Sequence, residues 1–385
     1  MLRFLFVFLF LINALLLKAQ LDNSPFFDKI PLDSTLNRGL FLSVANLGFN
    51  KDNEYFNPIA EGYTLFGYQL NPEVVFVPSE NIRLEAGAFF LKDFGNPVFN
   101  RIAPTYSVKL KKDSTSFIFG TIQGSLSHRL IEPLYHFELV TNNRIEDGMQ
   151  VLVEKKKLFT DVWINWERMQ YDFSPFQEEL WGGVSSEFTL SEKKWKWSLP
   201  VQLLAKHKGG QLDSVEVPLI TYFNGAIGFS AHYDRPIPEN LHQGRLFEGF
   251  YRGIRFDNYM TVFSDRSFEK VFPIKNGYGA YLNLTVLTKF SDVMISYWHG
   301  ENFHAFKGGY LYQSLSTKPK NPGFLLPRRD LIILRFMKDY QLLPNLFLST
   351  RFEPFFDFYN SKVNFSMGLY INYRNDFLLT KIKER

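Results

Sequence analysis

The sequence predicts an all-β protein: a transmembrane, antiparallel, up-and-down β-barrel of about 16 strands. Apolar and polar residues alternate over many segments of roughly 10 residues, as they do in strands with a single apolar face. Short turns and long connections also alternate along the chain. Aromatic residues make up 17% of the chain, although hydrophobic residues reach only 45% and the mean hydropathy is −0.14. This composition fits strands that carry their aromatic side chains on one face.

The N-terminus has the layout of a secretory signal peptide. Arg3 precedes an apolar run from Phe4 to Leu17, and the small residue Ala19 follows. The run is shorter than the ~20 residues of a membrane-spanning helix, so a retained anchor is the weaker alternative. The predicted division is a signal peptide at 1–19, a short N-terminal periplasmic segment at 20–38, a transmembrane barrel at 39–377 and a C-terminal tail at 378–385.

Charge and cysteine content exclude several classes of protein. The chain has no cysteine, which excludes disulfide bonds and lipoprotein attachment. Loss of Arg3 and Lys18 with the signal peptide lowers the formal charge from +4 to +2. That charge is too small to predict a nucleic-acid partner. The sequence implies no cofactor, whether nucleotide or redox group, and no metal.

Sixteen alternating segments follow one another along the chain. The first begins at residue 39, and the others lie at 64–76, 82–90, 106–111, 117–123, 148–154, 158–167, 180–190, 195–205, 219–233, 253–263, 278–287, 293–300, 331–338, 346–354 and 365–377. The connections alternate between short periplasmic turns and mostly long extracellular loops. Two connections break this rule: Asp234–Gly244 is long on the short side, and Phe358–Lys362 is short on the long side.

Two sets of side chains follow from this alternation. In a bilayer the backbone must satisfy its own hydrogen bonds, so a spanning sheet must close, with apolar residues outside and polar residues inside. The outward set is Ile82, Leu84, Val162, Ile164, Leu199, Val201, Leu282, Leu284, Ile332, Leu334, Leu346 and Leu348. The pore-lining set is Arg83, Glu85, Lys109, Lys111, Asp161, Glu167, Arg255, Asp257, Arg335, Arg351, Glu353 and Arg374. Seven of these pore-lining residues are basic and five are acidic, which predicts a wet lumen of mixed charge.

Aromatic residues lie where a membrane-interface belt is expected. Trp195 and Trp197 share a parity directly after a short turn, and Phe188 lies before the same turn. Rings with one polar edge favour the headgroup level. A soluble β-sandwich or propeller also alternates, but this chain has long strands and no fixed repeat.

The last strand, "FSMGLYINYRNDF", resembles the C-terminal signature strand of Gram-negative outer-membrane β-barrel proteins. Leu369, Ile371, Tyr373 and Phe377 carry the resemblance. It implies location in the cell outer membrane, contact with outer-membrane lipid, and recognition by the barrel-assembly machinery during biogenesis. One departure is that "LLTKIKER" follows the final aromatic residue, which in this family is usually terminal.

One long loop, at 124–148, is the best candidate for a constriction. It carries Arg129, Glu132 and Glu138, and opposed charges across a pore select solutes by size and sign. The sequence leaves open whether this loop folds into the lumen or outward as a shield.

Histidines concentrate in or beside the long loops, namely His128, His136, His207, His299 and His304. Together with Glu132, Glu138 and Glu301 they would suit a metal or ligand site, but no spacing matches a metal motif, and solvated loop histidines are the simpler interpretation. Motifs of hydrolases and nucleotide-binding loops are missing. A lipase-like surface enzyme would need Ser, His and an orienting polar group on the outer wall, and adjacent Ser127 and His128 do not establish that geometry.

We therefore predict an outer-membrane channel for passive or facilitated passage of a small polar solute, without enzymatic activity. The alternative is a barrel subunit of a secretion, polysaccharide-export or surface-assembly complex, with partner proteins bound through aromatic loops such as "FHAFKGGYLY" and "FEGFYRG" or through the Asp234–Gly244 connection. The third and weakest interpretation is the surface enzyme.

Overall fold

Sixteen antiparallel strands form a closed barrel in the computed structural model, which describes residues 23–32, 34–210, 212, 215–235 and 250–382. The strands are β1 (Gly39–Glu54), β2 (Thr64–Ser79), β3 (Ile82–Asp93), β4 (Arg101–Lys112), β5 (Thr115–Thr121), β6 (Asp147–Lys155), β7 (Leu158–Arg168), β8 (Glu179–Glu192), β9 (Lys196–Lys208), β10 (Ile220–Asp234), β11 (Tyr251–Asp265), β12 (Asn276–Thr288), β13 (Asp292–Glu301), β14 (Arg328–Leu343), β15 (Leu346–Asp357) and β16 (Lys362–Lys381). Each pairs with its neighbours in sequence, which confirms the predicted up-and-down topology.

The barrel closes between its first and last strands. Gly39 lies opposite Lys381, and Glu54 lies opposite Phe365. Closure leaves no sheet edge with unpaired backbone groups, as a bilayer requires. β16 continues to Lys381, past the predicted boundary at Phe377, because the first residues of β1 supply pairing partners for it.

Short turns join strands at one end of the barrel, which we call the short-turn end. Two of these turns contain residues in the left-handed region, Asp113 with φ 52° and Asn345 with φ 64°. Asn and Asp tolerate this conformation, so both turns can reverse the chain within two residues. The opposite end, the long-loop end, carries the longer connections. The signal peptide, residues 236–244 of the Asp234–Gly244 connection and part of "FEGFYRG" lie outside the described residues.

The outward set predicted from the alternation faces away from the barrel interior. Val162 is 41% exposed and Ile332 is 39% exposed. Near the short-turn end, the rings of Trp197 and Phe229 stack with centroids 5.4 Å apart on the outer face. This arrangement matches an aromatic belt at a membrane interface.

Helical structure is minor. Helix α1 (Leu139–Asn142) and a 3-10 turn at Ser125–His128 lie in the connection between β5 and β6. Among the described residues, no helix is long and apolar enough to cross a bilayer.

Candidate functional site

The inside of the barrel is occupied by chain rather than left open. We call three stretches the inward segments: residues 23–32, 122–146 and 302–327. They contact one another, since the backbone N–H of Asp28 donates to Ser127 Oγ at 2.7 Å and that of His136 donates to the carbonyl of Lys307 at 2.7 Å. The lumen is therefore a packed interior, in contrast to the wet lumen that the sequence predicted.

The loop predicted to form a constriction folds inward. Arg129 lies over the ring of Phe159, with the guanidinium carbon 3.6 Å from the ring centroid. Glu132 accepts a hydrogen bond from Tyr312 at 2.6 Å. Glu138 accepts one from Asn53 at 2.8 Å. Of the two orientations that the sequence left open, the structure shows the inward one, and all three charged side chains bind other parts of the interior.

A buried ionic network connects the wall to these segments. Lys51 Nζ donates to Glu353 at 3.1 Å and to Ser366 at 2.9 Å. Arg335 donates to the other oxygen of Glu353 at 2.9 Å and also binds Glu132 of the inward loop. Arg335 is 1% exposed, so removal of one partner would leave uncompensated charge in the interior.

Lys51 was missed by the sequence analysis. It shares the inward face of β1 with Leu47 and Phe49, both buried. An inward face that mixes apolar and charged residues does not show the clean alternation that identified the other strands.

The remaining predicted pore-lining residues also face inward, and all except Arg374 are shown bound to protein groups. Arg83 donates to Glu85 at 2.8 Å and to Asp376 at 2.9 Å. The other contacts are those of Lys109 with the carbonyl of Ile30, Lys111 with that of Leu32, Asp161 with His128, Glu167 with Lys206 and Lys307, Arg255 with Asp234, Asp257 with Ser230 and His232, and Arg351 with Asn23. Arg374 lines a cavity of about 520 Å³ near the short-turn end. That these side chains line a conducting path stays a prediction.

The deepest histidine is His128. Its Nδ1 lies 2.7 Å from Asp161 and its Nε2 lies 3.1 Å from Glu146, and its ring stacks on Trp163 with centroids 3.7 Å apart. Burial alone disfavours the imidazolium, but the two carboxylates outweigh burial and raise the pKa of His128 to about 9. With both nitrogens engaged, this side chain fixes the loop to β7 and offers no free nitrogen to a ligand.

This geometry predicts a pH dependence of stability. A folded-state pKa raised from 6.5 to about 9 gives stabilisation that is complete below pH 6.5 and is lost as the pH rises through about 9. We expect wild type to exceed His128→Gln in free energy of unfolding by up to about 3 kcal/mol at neutral pH. This difference should shrink as the pH rises toward 9 and be almost gone above pH 9. Urea unfolding in detergent followed by tryptophan fluorescence measures this. A pH-independent difference between the two proteins would contradict it.

The other histidines predicted at the loops separate into two groups. His136 and His304 lie inside, and burial lowers the pKa of His304 to about 4. His207 and His299 lie on the outer face near the long-loop end. His207 Nδ1 lies 2.9 Å from Thr221 Oγ1. Across the part of the chain that the structure describes, no three His, Cys, Asp or Glu side chains converge as metal ligands.

A polar cluster surrounds His299 on the outer wall at the long-loop end, where an apolar surface would be expected. We call it the rim cluster, and it consists of Tyr278, Tyr297, His299, Glu301, Arg328 and Asp330. These residues are close because β12, β13 and β14 are adjacent: His299 lies opposite Asp330, and Glu301 lies opposite both Tyr278 and Arg328. His299 and Asp330 are 31 positions apart in sequence, so no local motif could reveal the pair.

The carboxylate of Asp330 accepts hydrogen bonds from three donors within the rim cluster. Its Oδ1 lies 2.8 Å from His299 Nδ1 and accepts a bond of 2.8 Å from the hydroxyl of Tyr297. Its Oδ2 accepts a bond of 2.8 Å from Arg328 Nε. Because Asp330 accepts from Nδ1–H, the lone pair of His299 lies on Nε2.

The second nitrogen of His299 is available for chemistry. Nε2 lies 3.7 Å from Glu301 Oε1, which is too long for a direct hydrogen bond but suits a shared water molecule. Glu301 in turn accepts a bond of 2.5 Å from the hydroxyl of Tyr278. The side chain of His299 is 23% exposed and that of Asp330 is 16% exposed. A histidine oriented by a carboxylate and open on one side is the arrangement of a general base.

A family model described as lipid A 3'-O-deacylase-type matches residues 32–382. The chain belongs to this family. The family is one of enzymes, so the prediction that the protein has no enzymatic activity was wrong. That prediction relied on the absence of contiguous hydrolase motifs. The His299–Asp330 pair of this lipid A 3'-O-deacylase-type protein is brought together by strand pairing, so no contiguous motif contains it. No curated protein matches the sequence at a significant level.

Solved structures share the fold of this lipid A 3'-O-deacylase-type protein. A loop L8 deletion mutant of OmpT from Vibrio cholerae aligns with a TM-score of 0.51 and 10% identity, over 88% of this chain and 100% of that one. OprD from Pseudomonas aeruginosa aligns with a TM-score of 0.49 and 9% identity, over 88% and 94% of the two chains. The likeness to the OmpT mutant shows the fold alone. Membership of the lipid A 3'-O-deacylase-type family, together with the closed barrel, identifies the protein as an outer-membrane β-barrel located in the outer membrane.

Proposed function

We propose that this protein hydrolyses an acyl ester of lipid A at the rim cluster, with His299 as the general base. The observation that carries the proposal is the His299–Asp330 pair on the outer wall, in a chain of the lipid A 3'-O-deacylase-type family. The long-loop end is then the extracellular end, and the cluster lies at the level of the lipid headgroups.

The position of the His299–Asp330 pair favours an active site at the rim cluster over one in the barrel interior. A membrane lipid reaches the barrel from its outer surface, where His299 is partly exposed. His128 is fully buried, and both of its ring nitrogens bind carboxylates. Of these two histidines, His299 is the one that combines access from the bilayer with a ring nitrogen that makes no direct hydrogen bond.

The chemistry follows from the tautomer that Asp330 selects. His299 Nε2 takes a proton from a water molecule held between it and Glu301, and the water oxygen attacks the acyl carbonyl carbon. The tetrahedral intermediate collapses with cleavage of the bond between the acyl carbon and the lipid 3′ oxygen, and the imidazolium returns its proton to that oxygen. The products are a fatty acid and a lipid with a free hydroxyl group.

Arg328 supplies positive charge beside the base. Its Nε binds Asp330, while its side chain is 68% exposed. The outer part of the guanidinium can bind a phosphate of lipid A or the developing oxyanion, since guanidinium groups suit both. The rim cluster thus holds a base, its orienting carboxylate and a cation in one patch.

The direct test is incubation of purified, folded barrel with purified lipid A in mixed micelles, followed by mass spectrometry. We expect lipid A to lose one acyl group, with release of an equal amount of free fatty acid. Heat-denatured barrel is the control for spontaneous hydrolysis. Unchanged lipid A in the presence of folded barrel would refute the proposed function.

A second candidate function is the passage of small polar solutes. It is favoured by the cavity of about 520 Å³ near the short-turn end, whose lining includes Arg144, Arg374 and Asp376. Passage would require the inward segments to move. Discrete conductance steps from wild-type protein in planar bilayers would support this function. In the segment "FHAFKGGYLY", Phe303 and Tyr312 are fully buried inside the barrel, which does not favour these two rings as contacts for partner proteins.

A further inference from the structure

An apolar groove of about 460 Å³ crosses the outer wall over β8 to β11. Its floor consists of small outward residues on neighbouring strands, Gly182, Ala205 and Gly225. Larger side chains border it, including Leu203 at 57% exposure and Val262 at 55% exposure. A barrel wall covered evenly by large apolar residues would have no such depression.

At Gly225 the depth of the groove results from a missing side chain and not from a backbone requirement. Gly225 is not among the glycines with positive φ, so its conformation is open to other residues. A Cβ at Gly225 would lie 3.2 Å from Val262 Cγ2 and 3.4 Å from Leu203 Cδ2. Any larger residue here would project between these two side chains and fill the groove.

Strand register connects the groove to the rim cluster. Gly225 lies opposite Val262, Val262 opposite Tyr278, and Tyr278 opposite Glu301. This row spans three inter-strand spacings, or about 14 Å. Within it, Glu301 is the last residue of β13, whereas Gly225 lies five residues inside β10 from its long-loop end. The row therefore descends from the rim into the membrane-facing wall.

We propose that the groove binds one acyl chain of the lipid whose ester is cleaved at the rim cluster. This inference rests on the proposed function, because it gives the substrate of the same site a second contact. The groove is continuous with the lipid-facing wall, so its occupant is hydrocarbon. An acyl chain whose ester lies at His299 would follow the row from Glu301 to Gly225 and enter the groove. Leu203 and Val262 would then lie along the sides of the acyl chain.

The test is to fill the groove by Ala205→Phe, with Ala88→Phe as the matched control on the outward face of β3, across the barrel. For each protein, the rate of lipid A deacylation is divided by the rate of hydrolysis of p-nitrophenyl butyrate, whose chain is too short to reach the groove. We expect this ratio to fall at least about tenfold for Ala205→Phe and to stay at the wild-type value for Ala88→Phe. Equal ratios for all three proteins would overturn the proposal.

A binding experiment separates failure of the groove from failure of the catalytic proposal. Native mass spectrometry of detergent-purified barrel with added lipid A measures retained lipid without any turnover. We expect wild type and Ala88→Phe to retain lipid A and Ala205→Phe to lose most of it, even if no protein hydrolyses lipid A. Equal retention of lipid A by the three proteins would overturn the proposal that the groove binds an acyl chain. So would a change from dimer to monomer caused by Ala205→Phe, because the occupant would then be a second copy of the chain.

Discussion

Replacement of His299 by glutamine is expected to reduce the rate of lipid A deacylation by about 10³-fold, within the range that general acid–base catalysis contributes. Glutamine keeps a polar side chain of similar reach but cannot accept and return a proton. Asp330→Asn should reduce the rate by about 10²-fold or more, because it removes the carboxylate that selects the reactive tautomer. Initial rates of fatty-acid release from lipid A measure both effects.

The matched control is His207→Gln. His207 is also an outward histidine near the long-loop end, and it binds a threonine hydroxyl instead of a carboxylate. This variant should keep the wild-type rate within about twofold, as expected for a surface change outside the site. Undiminished deacylation by a folded His299→Gln protein would remove His299 from the mechanism and leave the family relationship without an assigned site.

Replacement of Arg335 by methionine is expected to detach the inward loops from the wall. The change removes the buried cation from Glu132 and leaves Glu353 with Lys51 as its cationic partner, at a cost of about 3–5 kcal/mol. It also removes the bond of 2.8 Å from Arg335 to the hydroxyl of Tyr312, so both long inward segments lose an anchor. We expect a larger conductance than wild type in planar bilayers and faster proteolysis within residues 122–146.

Arg252→Met is the control for this prediction, because Arg252 is an exposed residue at the second position of β11. It should leave both conductance and proteolysis at wild-type values. If Arg335→Met also gave wild-type conductance and proteolysis, the ionic network would not hold the inward segments in place.

Much of the fold was predictable because each outward residue faces the same environment. Hydrocarbon requires an apolar side chain at every second position, so the strand containing Leu84 could be identified from sequence alone. The facing residues Arg83 and Glu85 were likewise placed inside correctly by parity, although their binding partners were not predictable.

The interior and the rim cluster were not predictable, for two physical reasons. Loop conformation depends on contacts between distant segments, such as Arg144 with Asp28, 116 positions apart, and these leave no periodic signal. The pairing of His299 with Asp330 depends on the register between β13 and β14. Sequence parity predicts which face of the sheet a residue occupies, but it does not predict which residue lies opposite on the next strand. The cue that was present, "HGENFH", pointed to His299 and Glu301 but not to their partner on β14.

The seam between β1 and β16 has a consequence for how the chain reaches its native state. Lys51 and Glu353 are separated by 302 positions, and both lie on strands at or next to that seam. Contacts of such long sequence separation form late and slowly. Until the last strand is available, a growing sheet exposes two hydrogen-bonding edges that can pair with other chains. Aggregation during biogenesis should therefore compete with completion of the C-terminal strand.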